Sequence, residues 1–207
     1  MSILPASGIG DESTGFYNGD VEQSIQMFGT TGYLSRQFVT PTSTQKMIFA
    51  FWVKPSEFGD KQNIMSAGSS VTNYFLFSFS NSGFYNATDN FKFLLVSGNV
   101  GIIYKNTNRI FRDPSAWLHV CVAIDTTQAT ASNRIQLFFN GIRYEGGFSL
   151  DHTPDQNENL PILNANGNYH HIGLLYAGGN YGHFNGNIGP VHIYNRALSA
   201  SEILHNY

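Results

Sequence analysis

Hydrophobic residues in this chain recur at every second position over short runs bounded by Gly, Asn, Ser or Pro, the pattern of strands with one buried face. Met47, Phe49, Phe51 and Val53 form one such row, Phe75, Phe77 and Phe79 a second, and Phe91, Phe93 and Leu95 a third. The clearest case is 117–141, WLHVCVAIDTTQATASNRIQLFFNG. There Leu118, Val120, Val122 and Ile124 alternate with Trp117, His119, Cys121 and Ala123, and Ile135, Leu137 and Phe139 resume the period after a polar loop at 125–133. This predicts a hairpin with one packed face. Asn140-Gly141 supplies the positive backbone dihedrals of a tight turn, so Ile142, Arg143 and Tyr144 are expected to start a returning strand. In all, roughly a dozen short strands are predicted, the count of an all-β sandwich. Helix is expected only at the end of the chain. Ser199 and Glu202 have the spacing of a capping box and Leu198 and Ile203 that of a hydrophobic staple, so a short helix should begin at Ala200.

Composition narrows the picture. A chain of 207 residues with 42% hydrophobic and 14% aromatic content can bury the core of one β-sandwich domain, expected over 20–207. Residues 1–19 lack periodicity and are read as an N-terminal arm or lead-in. Only 12% of residues are charged and the net charge is −3, with no basic stripe to meet phosphates, so nucleic acid is not an expected partner. No apolar run is long enough for a membrane span. The N-terminus has neither a basic n-region nor an adequate h-region, so no signal peptide is expected. Cys121 is the single cysteine and lies between Val120 and Val122, which predicts a buried, inert thiol.

The hairpin block resembles the core of the concanavalin A-like, laminin G-type jelly rolls, in which a Trp-x-His strand, an Asp and a strand closing on Asn-Gly occur in this order. Here these are Trp117, His119, Asp125, Asn140 and Gly141. The stretch FNGNIGPVHIYNRALSASEI at 184–203 resembles the closing strand and terminal helix of the same family. Further likeness in YLSR at 33–36, MIFAFWVKP at 47–55, FGDKQNIMSAG at 58–68, FRDPSAW at 111–117 and DTTQATASNR at 125–134 is to laminin G-like virion proteins of marine bacteriophages. The resemblance covers residues 16–207. It implies a jelly-roll sandwich of two antiparallel sheets with a short C-terminal helix. It also implies a location on the virion surface after assembly in the host cytoplasm, and other virion proteins as partners. A homo-oligomer stays open, since no heptad repeat enforces one.

One branch of this fold hydrolyses glucans, and retaining hydrolysis needs two carboxyl groups about 5 Å apart, which a strand supplies at i and i+2. The Glu-x-Asp pattern with a further Glu behind it is absent. Asp20 and Glu22 have the spacing, but sit in a Gly-rich lead-in without the third acid, so no catalytic residue is expected. His170 and His171 are adjacent, and on a strand they would point to opposite faces, so they are not expected to share a metal. His119 and His192 fall on core-strand alternations and are read as structural. The family often holds Ca²⁺, which makes calcium the candidate cofactor. The place where relatives carry an acid is Gly189-Pro190 here, and the clusters Asp11, Asn18, Asp20 and Asp151, Asp155, Asn157, Glu158 are not separated by any spacing rule, so the metal residues stay open.

Sugar sites pair an aromatic face with amides or carboxylates that bond hydroxyls in fixed directions. Two loops have that composition: YAGGNYGHFNG at 176–186, with Tyr176, Asn180, Tyr181 and His183, and NSGFYNATDN at 81–90, with Tyr85, Asn86 and Asp89. These seven residues are the expected ligand-binding set, although aromatic residues in such loops also serve simply to plug the ends of a sandwich. The leading expectation is a non-catalytic, lectin-like virion protein, a tail-fibre or head-surface adhesin that contacts host-surface glycan. A structural decoration or cement protein is the first alternative and an atypical glycoside hydrolase the second.

Overall fold

The computed structural model describes residues 23–38, 43–58, 62–79, 89–163, 168–197 and 202–203. Fifteen strands run through these residues: β1 Ile25–Phe28, β2 Leu34–Gln37, β3 Lys46–Pro55, β4 Gln62–Ser70, β5 Asn73–Phe79, β6 Asn90–Ser97, β7 Val100–Ile110 and β8 Leu118–Asp125, then β9 Ile135–Phe139, β10 Ile142–Arg143, β11 Phe148–His152, β12 Tyr169–Ile172, β13 Leu174–Tyr176, β14 Asn180–His183 and β15 Asn185–Tyr194. They build two facing antiparallel sheets: a six-stranded one in the order β1-β15-β3-β8-β9-β10 and a seven-stranded one in the order β11-β7-β6-β5-β4-β12-β2. A separate ribbon, β13-β14, lies outside both. The fold is an all-β jelly-roll sandwich: the two-residue period predicted the sandwich, and the family resemblance implied the jelly roll. The short helix expected from Ala200 is described only at Glu202 and Ile203, and its cap residues Leu198 and Ser199 lie outside the described residues.

Every aromatic row read from the sequence faces inward. Phe49 and Phe51 of β3 meet Phe77 of β5 with ring centroids 5.0 and 5.9 Å apart, and Phe77 meets Phe93 of β6 at 4.8 Å. Offset and edge-to-face contacts of this kind add to what burial alone contributes. The β8–β9 hairpin forms as expected, with Val120 opposite Phe139 and Ile124 opposite Ile135. Asn140 and Gly141 adopt φ of 51° and 72°, and Ile142 and Arg143 return along β9. The Asn140 side chain also accepts the His119 backbone N–H at 2.9 Å, which ties the turn to the strand before it.

The opposite face of the six-stranded sheet has a small core of its own, in which Ile48, Ala50, Cys121 and Phe138 are covered by Ile203. Cys121 is buried there, and burial pushes its thiol up to about 12. His119 lies beside Trp52 with ring centroids 5.2 Å apart and is shut off from solvent. His192 departs from expectation: it is exposed on the outer face of β15, opposite Ala50, and is not a core histidine. The reason is a bulge at Gly189-Pro190, where the register of β15 on β3 shifts between Ile188 and Val191.

Candidate glycan site on the outer face of the seven-stranded sheet

Cross-strand register assigns each side chain of the seven-stranded sheet to one of two faces. Phe75, Phe77, Phe91, Phe93 and Ala67 point into the sandwich, so their neighbours Tyr74, Leu76, Ser78, Lys92, Leu94 and Ser66 point outward. The β13-β14 ribbon lies on that outer face. Leu175 and Ala177 of the ribbon pack on Tyr74, Leu76, Leu94 and Val96. One hydroxyl fixes its height above the sheet: buried Ser66 donates to the Leu174 carbonyl at 2.7 Å and accepts the Tyr176 N–H at 2.9 Å. At the ribbon's tip Gly178, with φ of 79°, sits against the β4 backbone, where a Cβ would come within 3.1 Å of the Ser70 Cα. Gly178 thus lets the ribbon approach the sheet closely.

Beside the ribbon is a cavity of 460 Å³ lined by Tyr33, Ser35, Gly68, Ser69, Asn168, Tyr169, His171 and Tyr176. Residues distant in sequence meet there because β12 pairs with β2 on one side, placing His171 opposite Ser35, and with β4 on the other, placing it opposite Ser66. His171 is the centre of the cluster. Its ring contacts Tyr176 at 4.9 Å, Tyr33 at 5.4 Å and Tyr169 at 6.4 Å, and both its nitrogens are buried without a hydrogen-bond partner. Burial holds its pKa below the ordinary histidine range, so it is neutral at pH 7 and presents one donor and one acceptor. The three phenol rings packed around it can face the apolar side of a sugar, while their hydroxyls and the Ser35, Ser69 and Asn168 side chains of the lining can bond its hydroxyls. No carboxylate is among the lining residues described.

The adjacent pair His170 and His171 does point to opposite faces. His170 turns inward, stacks on Phe38 at 3.8 Å and hydrogen-bonds the Leu163 carbonyl at 2.7 Å. A larger cavity, 690 Å³, opens at the β2–β15 edge, where core residues such as Phe38, Met47, Met65 and Ile193 meet the polar side chains of Arg36, Gln37, Asn195 and Arg196.

Of the seven residues expected from sequence, Tyr176 lines the smaller cavity and His183 lies next to it, 6.4 Å from the Tyr33 ring. Asn180 and Tyr181 are on β14 of the same ribbon, exposed, and outside the lining. Asp89 stands with φ of 38° just before β6, at the far end of that strand from the ribbon. Tyr85 and Asn86 lie outside the described residues. Tyr33, Tyr169 and His171 were missed, and the only local signal for them was the alternation in YHHI, which put Tyr169 and His171 on one face.

The described acids of the long loop do not form a cation cage. Asp151 pairs with Lys105, and Glu158 caps the Asp155 N–H at 2.9 Å. Among the described residues no group of three or more His, Cys, Asp or Glu is placed to hold a metal.

The fold belongs to a known class. Residues 28–204 match the model of the concanavalin A-like lectin/glucanases superfamily, and the chain is a member of that family. Similar solved structures include a carbohydrate-binding module of family 40 from the Ruminococcus gnavus IT-sialidase bound to α2,3 sialyllactose, with 15% identity, coverage of 89% of this chain and 96% of that one, and a TM-score of 0.60. The native heptameric SAP-like pentraxin from Limulus polyphemus shares 15% identity over 87% of this chain and 79% of its own, with a TM-score of 0.58. Domain 4 of the extracellular arabinanase AbnA from Geobacillus stearothermophilus, in complex with arabinotriose, shares 14% identity over 92% and 79%, with a TM-score of 0.57. No curated protein matches this chain.

Proposed function

We propose that this protein is a non-catalytic glycan-binding module whose site is the Tyr33–Tyr169–Tyr176–His171 cavity. The observation that carries the reading is the cluster around His171: a buried, neutral imidazole with both nitrogens unbonded, ringed by three tyrosines in the wall of the cavity. Structural neighbours with bound sialyllactose and arabinotriose support it at the level of the fold. The absence of a carboxylate from the described lining favours binding over hydrolysis.

The test is a glycan array with the intact protein and two variants. Tyr176→Ala is expected to lower binding about tenfold, or roughly 1.4 kcal/mol, as loss of an aromatic platform should. Tyr181→Ala, whose ring is outside the lining, is expected to lower it less. An unmodified protein that binds no glycan, or a Tyr176→Ala variant that binds as well as the parent, overturns the reading.

Within the same proposal the module is carried on a phage particle as a tail-fibre or head-surface adhesin, where many weak sites act together on host polysaccharide. Support comes from the sequence likeness at 33–36, 47–55, 58–68, 111–117 and 125–134. Antibody against the protein should label purified particles and block their adsorption. Labelled particles without any glycan signal would favour a decoration protein instead, a role suggested by the exposed Ile25 and Phe28 on edge strand β1.

A further inference from the structure

Four polar residues stand side by side across the outer face of the seven-stranded sheet. Asn63 of β4 is opposite Ser78 of β5, Ser78 opposite Lys92 of β6, and Lys92 opposite Asn106 of β7. All four are more than nine-tenths buried: Asn63 and Ser78 are 0% exposed, Asn106 6% and Lys92 8%. Both polar atoms of the Asn63 side chain, the Ser78 Oγ, the Lys92 Nζ and the Asn106 Oδ1 have no hydrogen-bond partner. Lys92 takes part in none of the ion pairs among the described residues. Nearly all buried polar groups in folded proteins are bonded, so an unbonded row across four strands calls for a cause other than the fold.

We propose that this row is a binding subsite for the carboxylate and a neighbouring hydroxyl of an acidic sugar. The proposal rests on the glycan-binding reading and assigns it a substrate class. The row offers one ammonium, the Ser78 hydroxyl and the Asn63 amide N–H as donors, enough for one carboxylate. It also offers the Asn63 and Asn106 carbonyl oxygens, which need a donor in return. Inorganic sulfate or phosphate would find those oxygens repulsive, whereas a sugar acid carries hydroxyls that satisfy them. Residual exposure is greatest at Lys92 and Asn106, which makes the β6–β7 end the side of approach. Burial without a counter-ion pushes the Lys92 amine down to about 8, and a bound carboxylate would restore it.

The test titrates the full chain with sodium D-glucuronate and with D-glucose, in the parent, Lys92→Met, Asn106→Asp and Tyr176→Ala. The parent is expected to prefer glucuronate about tenfold, the effect of a single charge-assisted contact. Lys92→Met removes the cation and Asn106→Asp supplies Lys92 with an internal partner, so both should lose that preference. Thermal melts should show both variants folded and no less stable than the parent. A parent without preference for the acid, whose row is then satisfied by water, overturns the proposal, as does a preference that survives Lys92→Met in a folded protein. The two readings fail separately. Binding that depends on Tyr176 without an acid preference leaves the glycan site standing and removes this subsite. Acid binding that depends on Lys92 but not on Tyr176 does the reverse.

Discussion

His119 shows how burial decides chemistry residue by residue. Burial first, and the nearby His192 second, push it down to about 4 from an ordinary value of about 6.5. A histidine with a depressed folded pKa takes up a proton on unfolding between those values, so the unfolded state binds more protons there and stability falls as pH drops from about 6.5 to 4. The loss from His119 alone is about 3 kcal/mol. His170 and His171 are shifted in the same direction by burial and add to it. Urea melts at pH 7 and pH 4.5 should show this fall, and a His119→Gln variant should show a smaller one. Cys121 was legible from its strand position, and its burial predicts no reaction with a thiol reagent until the protein unfolds. Lys92 and His171 were not legible, because which face of a strand is covered depends on what lies over it, and the local alternation carries no record of that.

Among the elements, the β8–β9 hairpin was readable to within a residue, with Asp125 ending β8 and Tyr144 falling beyond β10, since its turn chemistry and its period are both local. Gly141→Val puts a β-branched side chain at φ of 72° and should cost about 1–2 kcal/mol or more in a denaturant melt. The β13-β14 ribbon is the contrary case. Its glycines and tyrosines marked it as a binding loop, but its seat depends on Ser66, 108 residues from Leu174. Ser66→Ala removes both anchoring hydrogen bonds, at about 0.5–1.5 kcal/mol each, and leaves the two sheets unaltered. Glycan affinity in that variant should fall further than its melting temperature suggests, and equal affinity would show that the ribbon does not position Tyr176. The cavity itself could not be read from any one segment, because β2, β4 and β12 meet only through long-range pairing.

For the molecule as a whole, apolar burial and neutral polar groups outweigh charge. The ion pairs Lys46–Asp125 at 3.5 Å, Arg143–Glu145 at 3.0 Å and Arg196–Glu202 at 2.6 Å are all at least partly exposed, where such pairs contribute about 0–1 kcal/mol. Raising salt from about 0.05 to 0.5 M should therefore move the melting temperature by only a few degrees. The strand order has a kinetic consequence as well. Because β15, formed by 185–194, lies between β1 and β3, the six-stranded sheet stays split until residues 185–194 have left the ribosome. Refolding should be slow, in milliseconds to seconds, and nascent chains stalled before Asn185 should remain open to protease and chaperone alike.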